Sequence, residues 1–480
     1  MLASSIGSDC PLVPFWRGLA RFAERTAVID ARTNSRWSYG CLLELAEAGA
    51  EKFDRGSKSV VLIQASRTVD FILIYLSALR AGHAIVLVDN SRSGAVEELT
   101  AAFSPDFVCL QAGTALGQGY VATPAKIGDY ELYRSATPQA TVPHEDLALV
   151  LRTSGSSGRP RCVRLSASNV AVNAVQVMRA LAISEDDVAI SVLPFSYVFG
   201  LSVLNSHLAA GATVVVARES VLEPKFWAHV ERYGATSLSG VTLTYEMLRR
   251  AGLQNRDAGC LRKLCHAGGK ISEGVASWLA AELTPRYDVY LMYGATEGAG
   301  RLAVLPPSLM TKMPRSVGHA VPGGKFSISE DGEVVYEGPN VMLGYASSRG
   351  DLERGDDCGG VLRTGDLGYL DEADRLYLTG RATRSVKVFG RRYVLDDVEF
   401  ELSPDGDVVV VSNEDRLVAF CPESSLPTLR RRCPLVASKL GLPASALRVQ
   451  AIESFPRTET GKIDYSRLSL HLRSWRDVAS

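Results

Sequence analysis

Apolar positions fall into two rhythms along the chain. Short unbroken apolar runs recur at 59–63, 84–88, 147–151, 188–193, 212–217, 264–267 and 289–293. Runs of this length, rich in Val, Ile and Leu, predict strands buried on both faces. Between them lie segments with helical spacing. One covers 71–79 and is ended by Gly82; another covers 42–50 after Trp37-Ser38-Tyr39. A third begins at Asn169, with Ser168 as its expected cap. Its apolar stripe is Val170, Ala174, Val177, Met178 and Leu181. Strand and helix patterns alternating in this way predict an α/β fold with mostly parallel sheets flanked by helices.

The rhythm changes after about residue 304. Short strands at 325–329, 333–337 and 375–378 predict a β-rich subdomain over 305–380. Gly380-Arg381-Ala382-Thr383-Arg384 reads as a boundary. Beyond it come a basic hairpin at 386–392, a helix opening at Asp396, strands at 407–411 and 416–420, a helix at 426–440 and a strand at 447–452. The expected organisation is a large domain over 1–380, a connector at 381–384 and a small α+β domain over 385–480.

Composition narrows the function classes. A chain of 480 residues exceeds one core. With 52 basic and 53 acidic residues the net charge is −1, which argues against nucleic-acid or anionic-membrane binding. The most apolar window, 71–88, is interrupted by Arg80, Gly82 and His83, so no membrane span is expected, and no signal peptide is apparent at the start. The nine cysteines contain no C-x-x-C pair. A reduced, cytoplasmic protein without a zinc site is the expectation.

Several apolar runs end in small and polar residues, and in parallel sheets ligands gather beyond the carboxyl ends of strands. After 147–151 comes Arg152-Thr153-Ser154-Gly155-Ser156-Ser157-Gly158-Arg159-Pro160-Arg161. Hydroxyls, glycines and bare N–H groups suit a phosphate cradle, and equally an ordinary turn; no Gly-Lys-Ser/Thr closes it as a Walker A loop. Tyr293-Gly294-Ala295-Thr296-Glu297 offers a hydroxyl and a carboxylate that fit Mg²⁺ and a phosphate oxygen, or simply a helix start. Asp366 in Arg363-Thr364-Gly365-Asp366 suits a ribose or an Asx-turn, and Lys462 in a Gly/Thr loop reads by itself as a solvated lysine.

Taken in order, these stretches resemble the acyl-adenylate-forming (AMP-binding) superfamily of acyl- and aryl-CoA synthetases, peptide-synthetase adenylation domains and firefly luciferase. The resemblance rests on the 153–161 loop, on 293–297, on 363–366, on Gly380-Arg381, on the hairpin Val386-Lys387-Val388-Phe389-Gly390-Arg391-Arg392 and on Pro456-Arg457-Thr458 with Thr460-Gly461-Lys462. It implies activation of a carboxylic acid by ATP and Mg²⁺ to acyl-AMP with release of pyrophosphate. Transfer to the thiol of CoA follows, or alternatively to the phosphopantetheine of an external carrier protein. By the same resemblance Lys462, Thr296 and Glu297 are catalytic, with Glu297 holding Mg²⁺. Thr153, Ser154, Gly155, Ser156, Ser157, Gly158, Arg161, Gly269, Tyr293, Gly294, Ala295, Asp366 and Arg381 bind the nucleotide. Phe195, Tyr197, Val198, Phe199, Gly240 and Gly268 line the acyl pocket, and the small domain rotates about a hinge near Thr383 between the two half-reactions.

The chain departs from the family pattern in informative places. Pro160-Arg161-Cys162 stands where Pro-Lys-Gly is usual, Thr383 where Asp or Lys is usual, and Tyr197 where many CoA ligases carry His. No Asp occurs within 195–201 to hold an α-amine, which argues against α-amino acids. The aromatic, uncharged look of this segment points to an aryl or apolar acid. A protein that kept the fold to bind acyl groups or nucleotides without catalysis is the competing class.

Overall fold

The structure, a computed structural model, describes residues 13–53, 56–89, 94–114, 116–137, 139–153, 161–269, 271, 273–388, 391–403, 408–413, 416–458, 463–465 and 467–469. Two large sheets and the helices around them form the bigger body. The first sheet has a parallel centre: Thr26–Asp30, Thr213–Val216, Val188–Ser191, Ser237–Gly240, Lys263–His266 and Asp288–Tyr293 lie side by side. The second has Leu147–Arg152, Ala84–Asp89, Val60–Ala65 and Phe107–Gln111 parallel at its centre, with antiparallel strands at both edges.

Helices Val69–Arg80 and Val198–Ala210 are apolar nearly all round. A helix with no polar face must be covered on every side. One continuous core accordingly runs from inward residues of both sheets, such as Val61, Ile85, Val28 and Val214, through Phe71, Ile74, Leu204 and Leu208 of these helices. Amphipathic helices Pro224–Arg232 and Thr242–Arg250 cover the outer face of the first sheet.

The segment after 304 does not fold apart from this body. Its strands Ala303–Leu305, Ser316–Ala320, Leu376–Arg381, Val361–Leu370, Glu333–Glu337 and Lys325–Ile328 extend the first sheet antiparallel from Asp288–Tyr293. Gly344–Ala346 crosses to pair with Cys162–Ser166 in the second sheet, stitching the two together. From Ser385 onward a hairpin, helix Leu395–Leu402, strands Val409–Asn413, Arg416–Cys421 and Leu447–Ala451, and helix Leu426–Lys439 gather around separate cores.

Three local expectations are corrected. The helix of the Val170 stripe begins at Ala167 and is capped by Ser166, not Ser168. Ser166 Oγ accepts from Asn169 N–H at 2.9 Å, and Asn169 Oδ1 accepts from Ser166 N–H at 2.9 Å. Both serines are good cappers; the reciprocal bond to Asn169 three residues on decides between them. Residues from Val198 are helix, not strand end. Asp366 lies inside the strand Val361–Leu370, not in a turn.

The amino ends of the parallel strands are tied by Asp187, which is buried. It accepts from Lys263 Nζ at 2.9 Å, Thr236 Oγ1 at 2.9 Å, Arg262 Nη2 at 3.1 Å and Ser184 N–H at 2.9 Å. Burial opposes its charge, but hydrogen bonds from Ser184, Lys263 and Thr236 outweigh burial and hold the carboxyl well below its ordinary value. Asp187→Ala leaves Lys263 buried without its carboxylate and is expected to destabilise the large domain by about 3 kcal/mol, read from the urea midpoint. The depressed pKa places this contribution in full above about pH 4, the unfolded value. It is lost as pH falls through the folded pKa, so the gap between wild type and variant closes in acid.

Candidate active site

The carboxyl ends of the first sheet's parallel strands converge on one region. Strand Asp288–Tyr293 delivers Tyr293 and then turns sharply. The turn is closed by Gly298 N–H to Ala295 O at 3.1 Å, Gly300 N–H to Ala295 O at 3.2 Å and Leu302 N–H to Tyr293 O at 2.9 Å. Gly294 is required here because a Cβ would come within 1.8 Å of Gly300 O. Two buried amides grip the turn from outside. Asn340 Nδ2 donates to Gly298 O (2.8 Å) and Arg301 O (3.0 Å), and Asn173 Nδ2 donates to Arg301 O (3.0 Å). Tyr336 Oη in turn donates to Asn340 Oδ1 at 2.8 Å.

Thr296 and Glu297 ride on this turn. Glu297 Oε1 accepts from Tyr345 Oη at 3.0 Å, and its backbone oxygen accepts from Met342 N–H at 2.8 Å. The other carboxylate oxygen has no hydrogen-bond partner among the described residues. The Arg161 guanidinium lies 5.0 Å from the centre of the Tyr345 ring. Burial, then the Glu297 charge, push the Tyr345 hydroxyl up to about 12, so it remains a donor. A carboxylate held by one hydroxyl, with an oxygen to spare, fits a hard divalent cation such as Mg²⁺, which takes one or two carboxylates plus phosphate oxygens. Among the described residues there is no cluster of three or more His, Cys, Asp or Glu that could hold a metal ion.

Across the site, Asp366 is buried between two donors. Tyr293 Oη donates to Oδ2 at 2.5 Å, and Arg381 Nε approaches Oδ1 at 2.8 Å. Burial, then the Asp366 charge, keep the Tyr293 hydroxyl protonated. A carboxylate has about four acceptor positions, so two stay open for a diol such as ribose. Gly268 has φ +89°, and a Cβ there would meet Tyr197 Oη at 2.6 Å; Gly240 is packed by Thr244. The Tyr197 hydroxyl therefore closes over the Gly268 backbone. Gly269 lies beside Thr242, whose hydroxyl is 3.1 Å from His266 Nε2.

The structure brings together Tyr293, Gly294, Ala295, Thr296, Glu297, Asp366 and Arg381, and places Arg161 near Glu297 through Tyr345. It also gathers Tyr197, Phe199 and Gly268. Phe195 goes elsewhere: it stacks on Phe71 at 5.6 Å within the core. The predicted loop residues Ser154, Gly155, Ser156, Ser157 and Gly158, and Lys462, lie outside the described residues. The mouth of that loop is closed by Thr153 N–H to Arg161 O at 2.8 Å. Cys162 opens the next strand and is buried, its thiol pushed up to about 12 by burial, so it packs rather than reacts.

Sequence reasoning missed Asn173, Asn340, Tyr345 and Arg301. Asn173 lies off the apolar stripe of its helix, where a polar residue reads as solvent-facing. Tyr345 follows a glycine with φ +133° in a short strand, and nothing in the sequence separates it from a core aromatic. Arg301 closes a glycine-rich run that was read only as far as Glu297. It is 2% exposed and brings a charge beside a pocket expected to be uncharged.

A parallel sheet delivering a glycine turn beside a buried Asp with open acceptor positions and a carboxylate with a spare oxygen suits a nucleotide-binding enzyme of the adenylate-forming type. A family model described as AMP-binding enzyme matches residues 15–346, and the chain belongs to that family; its CoA-ligase relatives support an AMP-forming acid–thiol ligase. The 2-succinylbenzoate–CoA ligase of Listeria monocytogenes serotype 4b (strain F2365) is 24% identical over 440 residues, 86% of this chain and 89% of that protein. The 4-coumarate–CoA ligase 5 of Oryza sativa subsp. japonica is 26% identical over 83% of this chain and 81% of its own length. The PKS-NRPS hybrid synthetase acdB of Aspergillus candidus is 26% identical over 97% of this chain, which spans only 20% of that protein. Among solved structures, the Bacillus subtilis o-succinylbenzoate CoA synthetase with its acyl-adenylate OSB-AMP superposes with TM-score 0.74 at 21% identity, covering 95% of this chain and 98% of the other. Klebsiella oxytoca NpsA with 3-hydroxyanthranilyl-AMSN gives 0.76 at 18%, covering 96% and 100%. Among the described residues no helix is long and apolar enough to cross a membrane.

Replacing Gly294 by Ala puts a methyl group against Gly300 O. It is expected to cost at least about 2 kcal/mol of stability and to weaken ATP binding, measured by thermal unfolding with and without nucleotide.

Proposed function

We propose that this enzyme activates an aryl or other organic acid with ATP and passes the acyl group to the thiol of CoA. The observation that carries the reading is Asp366, buried with both oxygens oriented by Tyr293 and Arg381 on the same floor as Thr296 and Glu297. In the first step a carboxylate oxygen of the acid attacks the α-phosphorus, the bond to the bridging oxygen of the β-phosphate breaks, and pyrophosphate leaves. Two anions must approach, so the barrier is mainly charge, and preorganised donors lower it.

Asp366 fixes the ribose and thereby the α-phosphate over Thr296. Glu297, steadied by Tyr345, holds Mg²⁺, which when bound offsets phosphate charge. Arg161 and the 153–158 loop hold the departing pyrophosphate. Lys462 meets the carboxylate and the α-phosphate. In the second step the thiolate sulfur attacks the acyl carbon, the carbon–oxygen bond to AMP breaks, and the thiol proton passes to solvent.

The change between steps needs a hinge. Arg381 is tied to Asp366, on the large-domain side. Arg384 is tied to Glu399 (2.6 Å) and Val410 O (2.7 Å) and lies 4.0 Å over the Tyr465 ring, on the small-domain side. Only Ala382 and Thr383 separate these side-chain anchors, so rotation centres there and breaks the bond from Arg381 N–H to Asp396 Oδ2 at 3.2 Å. CoA as the acceptor is supported by the named CoA ligases among the relatives. The second reading, a carrier-protein phosphopantetheine, is favoured by the match across nearly the whole chain to one segment of a multidomain synthetase.

ATP–pyrophosphate exchange over a panel of carboxylic acids tests the reading; ATP binding with no exchange for any acid would leave a non-catalytic nucleotide-binding protein instead. CoA and a phosphopantetheinylated carrier compared as acceptors decide between the two thiols. Lys462→Ala is expected to lower exchange by roughly 100-fold or more while acyl transfer from supplied acyl-AMP survives. Thr383→Pro, which fixes φ, should do the reverse: exchange persists and thiol transfer falls about 10-fold or more. Stopped assays of each half-reaction read both variants.

A further inference from the structure

Among the described residues four arginines are buried, and three are paired with carboxylates. Arg164 meets Asp357 Oδ2 at 2.5 Å and the carbonyls of Leu343, Gly355 and Arg354. Arg349 meets Asp106 Oδ2 at 2.9 Å and the carbonyls of Thr141 and Ser104. Arg384 meets Asp396 and Glu399. Each ties distant parts of the chain together, which is what a structural arginine does.

Arg301 differs. It is 2% exposed, and no carboxylate pairs with it among the described residues. Nη1 donates to the carbonyl of its own neighbour Gly300 at 3.0 Å, and Nε points at Met292 Sδ at 3.4 Å. The guanidinium lies 3.7 Å over the Phe199 ring, within electrostatic reach of Tyr197 and Cys265. Burial pulls it down to about 10, which leaves it charged at neutral pH. Cation–π contact and two neutral acceptors offset only part of the desolvation of a guanidinium.

Its surroundings mix apolar side chains with a few polar groups. Ser202, less than a turn beyond Phe199 on the same helix, has a buried hydroxyl oxygen with no partner, and a Cβ on Gly300 would come within 3.1 Å of it. A cavity of about 10 Å³, room for about one water, lies between the apolar side chains of Val177, Leu181 and Ile183 and the polar groups of Arg301, His207 and Lys263. Lys263 is already neutralised by Asp187 and His207 is held neutral by burial, so Arg301 is the uncompensated charge facing this space. One unpartnered hydroxyl and one cation without a carboxylate partner among the described residues lie beside the aromatic residues Tyr197 and Phe199.

We propose that Arg301 sets acyl specificity by pairing with a second carboxylate at the far end of the acid, with the Ser202 hydroxyl donating beside it. This rests on the ligase reading above and narrows it: the substrate is a dicarboxylic acid, one carboxylate reacting at ATP and the other neutralising Arg301. A guanidinium and a carboxylate meet in a two-bond fork that a methyl group cannot imitate. A site built for such a pair rejects the analogue lacking it, because the buried charge is then left alone.

The test uses the full chain and matched acids in ATP–pyrophosphate exchange: hexanoate against adipate, and 4-methylbenzoate against terephthalate. Wild type is expected to favour the diacid of each pair by roughly 100-fold in kcat/KM. Arg301→Met should lose that preference and match or exceed wild type on the neutral acids, with Arg301→Lys intermediate. Ser202→Ala should lower diacid use alone, by about 10-fold. Arg301→Met should also unfold no earlier than wild type on heating, since it removes an unpaired buried charge. Wild-type preference for the neutral acids, or equal loss of both classes in Arg301→Met together with a lower Tm, would make Arg301 structural and overturn the assignment. No exchange with any acid would instead overturn the ligase reading on which it rests.

Discussion

The site depends on the grip of two buried amides on one turn. After Tyr293 the chain must reverse within a few residues, and that leaves the carbonyls of Gly298 and Arg301 pointing into protein. Unpaired, each would cost a desolvation penalty that a turn of this size cannot recover locally. Asn173 comes from a helix 125 residues earlier and Asn340 from a segment 42 residues later. Both close on the same two oxygens, so the turn cannot relax without breaking contacts to two other parts of the fold. Thr296, Glu297 and the root of Arg301 all take their positions from it. The arrangement also explains why Asn340 is bonded in turn by Tyr336: a satisfied network is rigid, and a half-satisfied one would be worse than apolar packing.

Much of the fold could be read from apolar rhythm, because the strands of a doubly covered sheet have to be continuous hydrophobic runs. The ends of those runs pointed to Thr296 and to the loop after Arg152, because small and polar residues gather where the strands of a parallel sheet end; Asp366, inside a strand, was marked only by the glycine before it. The remainder was hidden by one assumption, that a polar residue on an amphipathic helix faces water. Asn173 and Gln176 share a helix with the Val170 stripe, yet they are buried and bonded. Arg301 was hidden by the same assumption in a stronger form, since a lone arginine after glycines ordinarily marks a surface. Only the sheet pairing that carries the chain back from Leu302 into the core reveals that it is enclosed.

Phe195 shows the opposite error. The family resemblance puts Phe195, Tyr197 and Phe199 along one pocket, but Pro194 and the helix start at Val198 turn Phe195 away from the other two. Phe195 enters the core against Phe71, Phe199 underlies Arg301, and Tyr197 closes over Gly268. Tyr197 and Phe199 still meet edge to face with ring centres 6.3 Å apart, so Phe195 alone leaves the shared surface; spacing along the sequence carries no face information across a change from strand to helix.

The same physics bears on how firmly the small domain can be held. Arg457, just ahead of the Lys462 loop, meets Glu246 of the large domain at 3.3 Å, with both side chains about 30% exposed. The Arg315 guanidinium lies 5.0 Å over Phe400. A half-exposed ion pair of this kind contributes about 1 kcal/mol or less, and salt weakens it further. The hydrophobic cores of the two bodies remain separate. In the proposed cycle the Lys462 loop has to be present for the first step and absent for the second. A buried apolar interface would hold it in one of those states. Light polar contacts beside a two-residue connector, with the Arg381 and Arg384 side chains each bound to its own side and a backbone bond from Arg381 N–H to Asp396 Oδ2 (3.2 Å) to break, let the domain leave without unfolding either body.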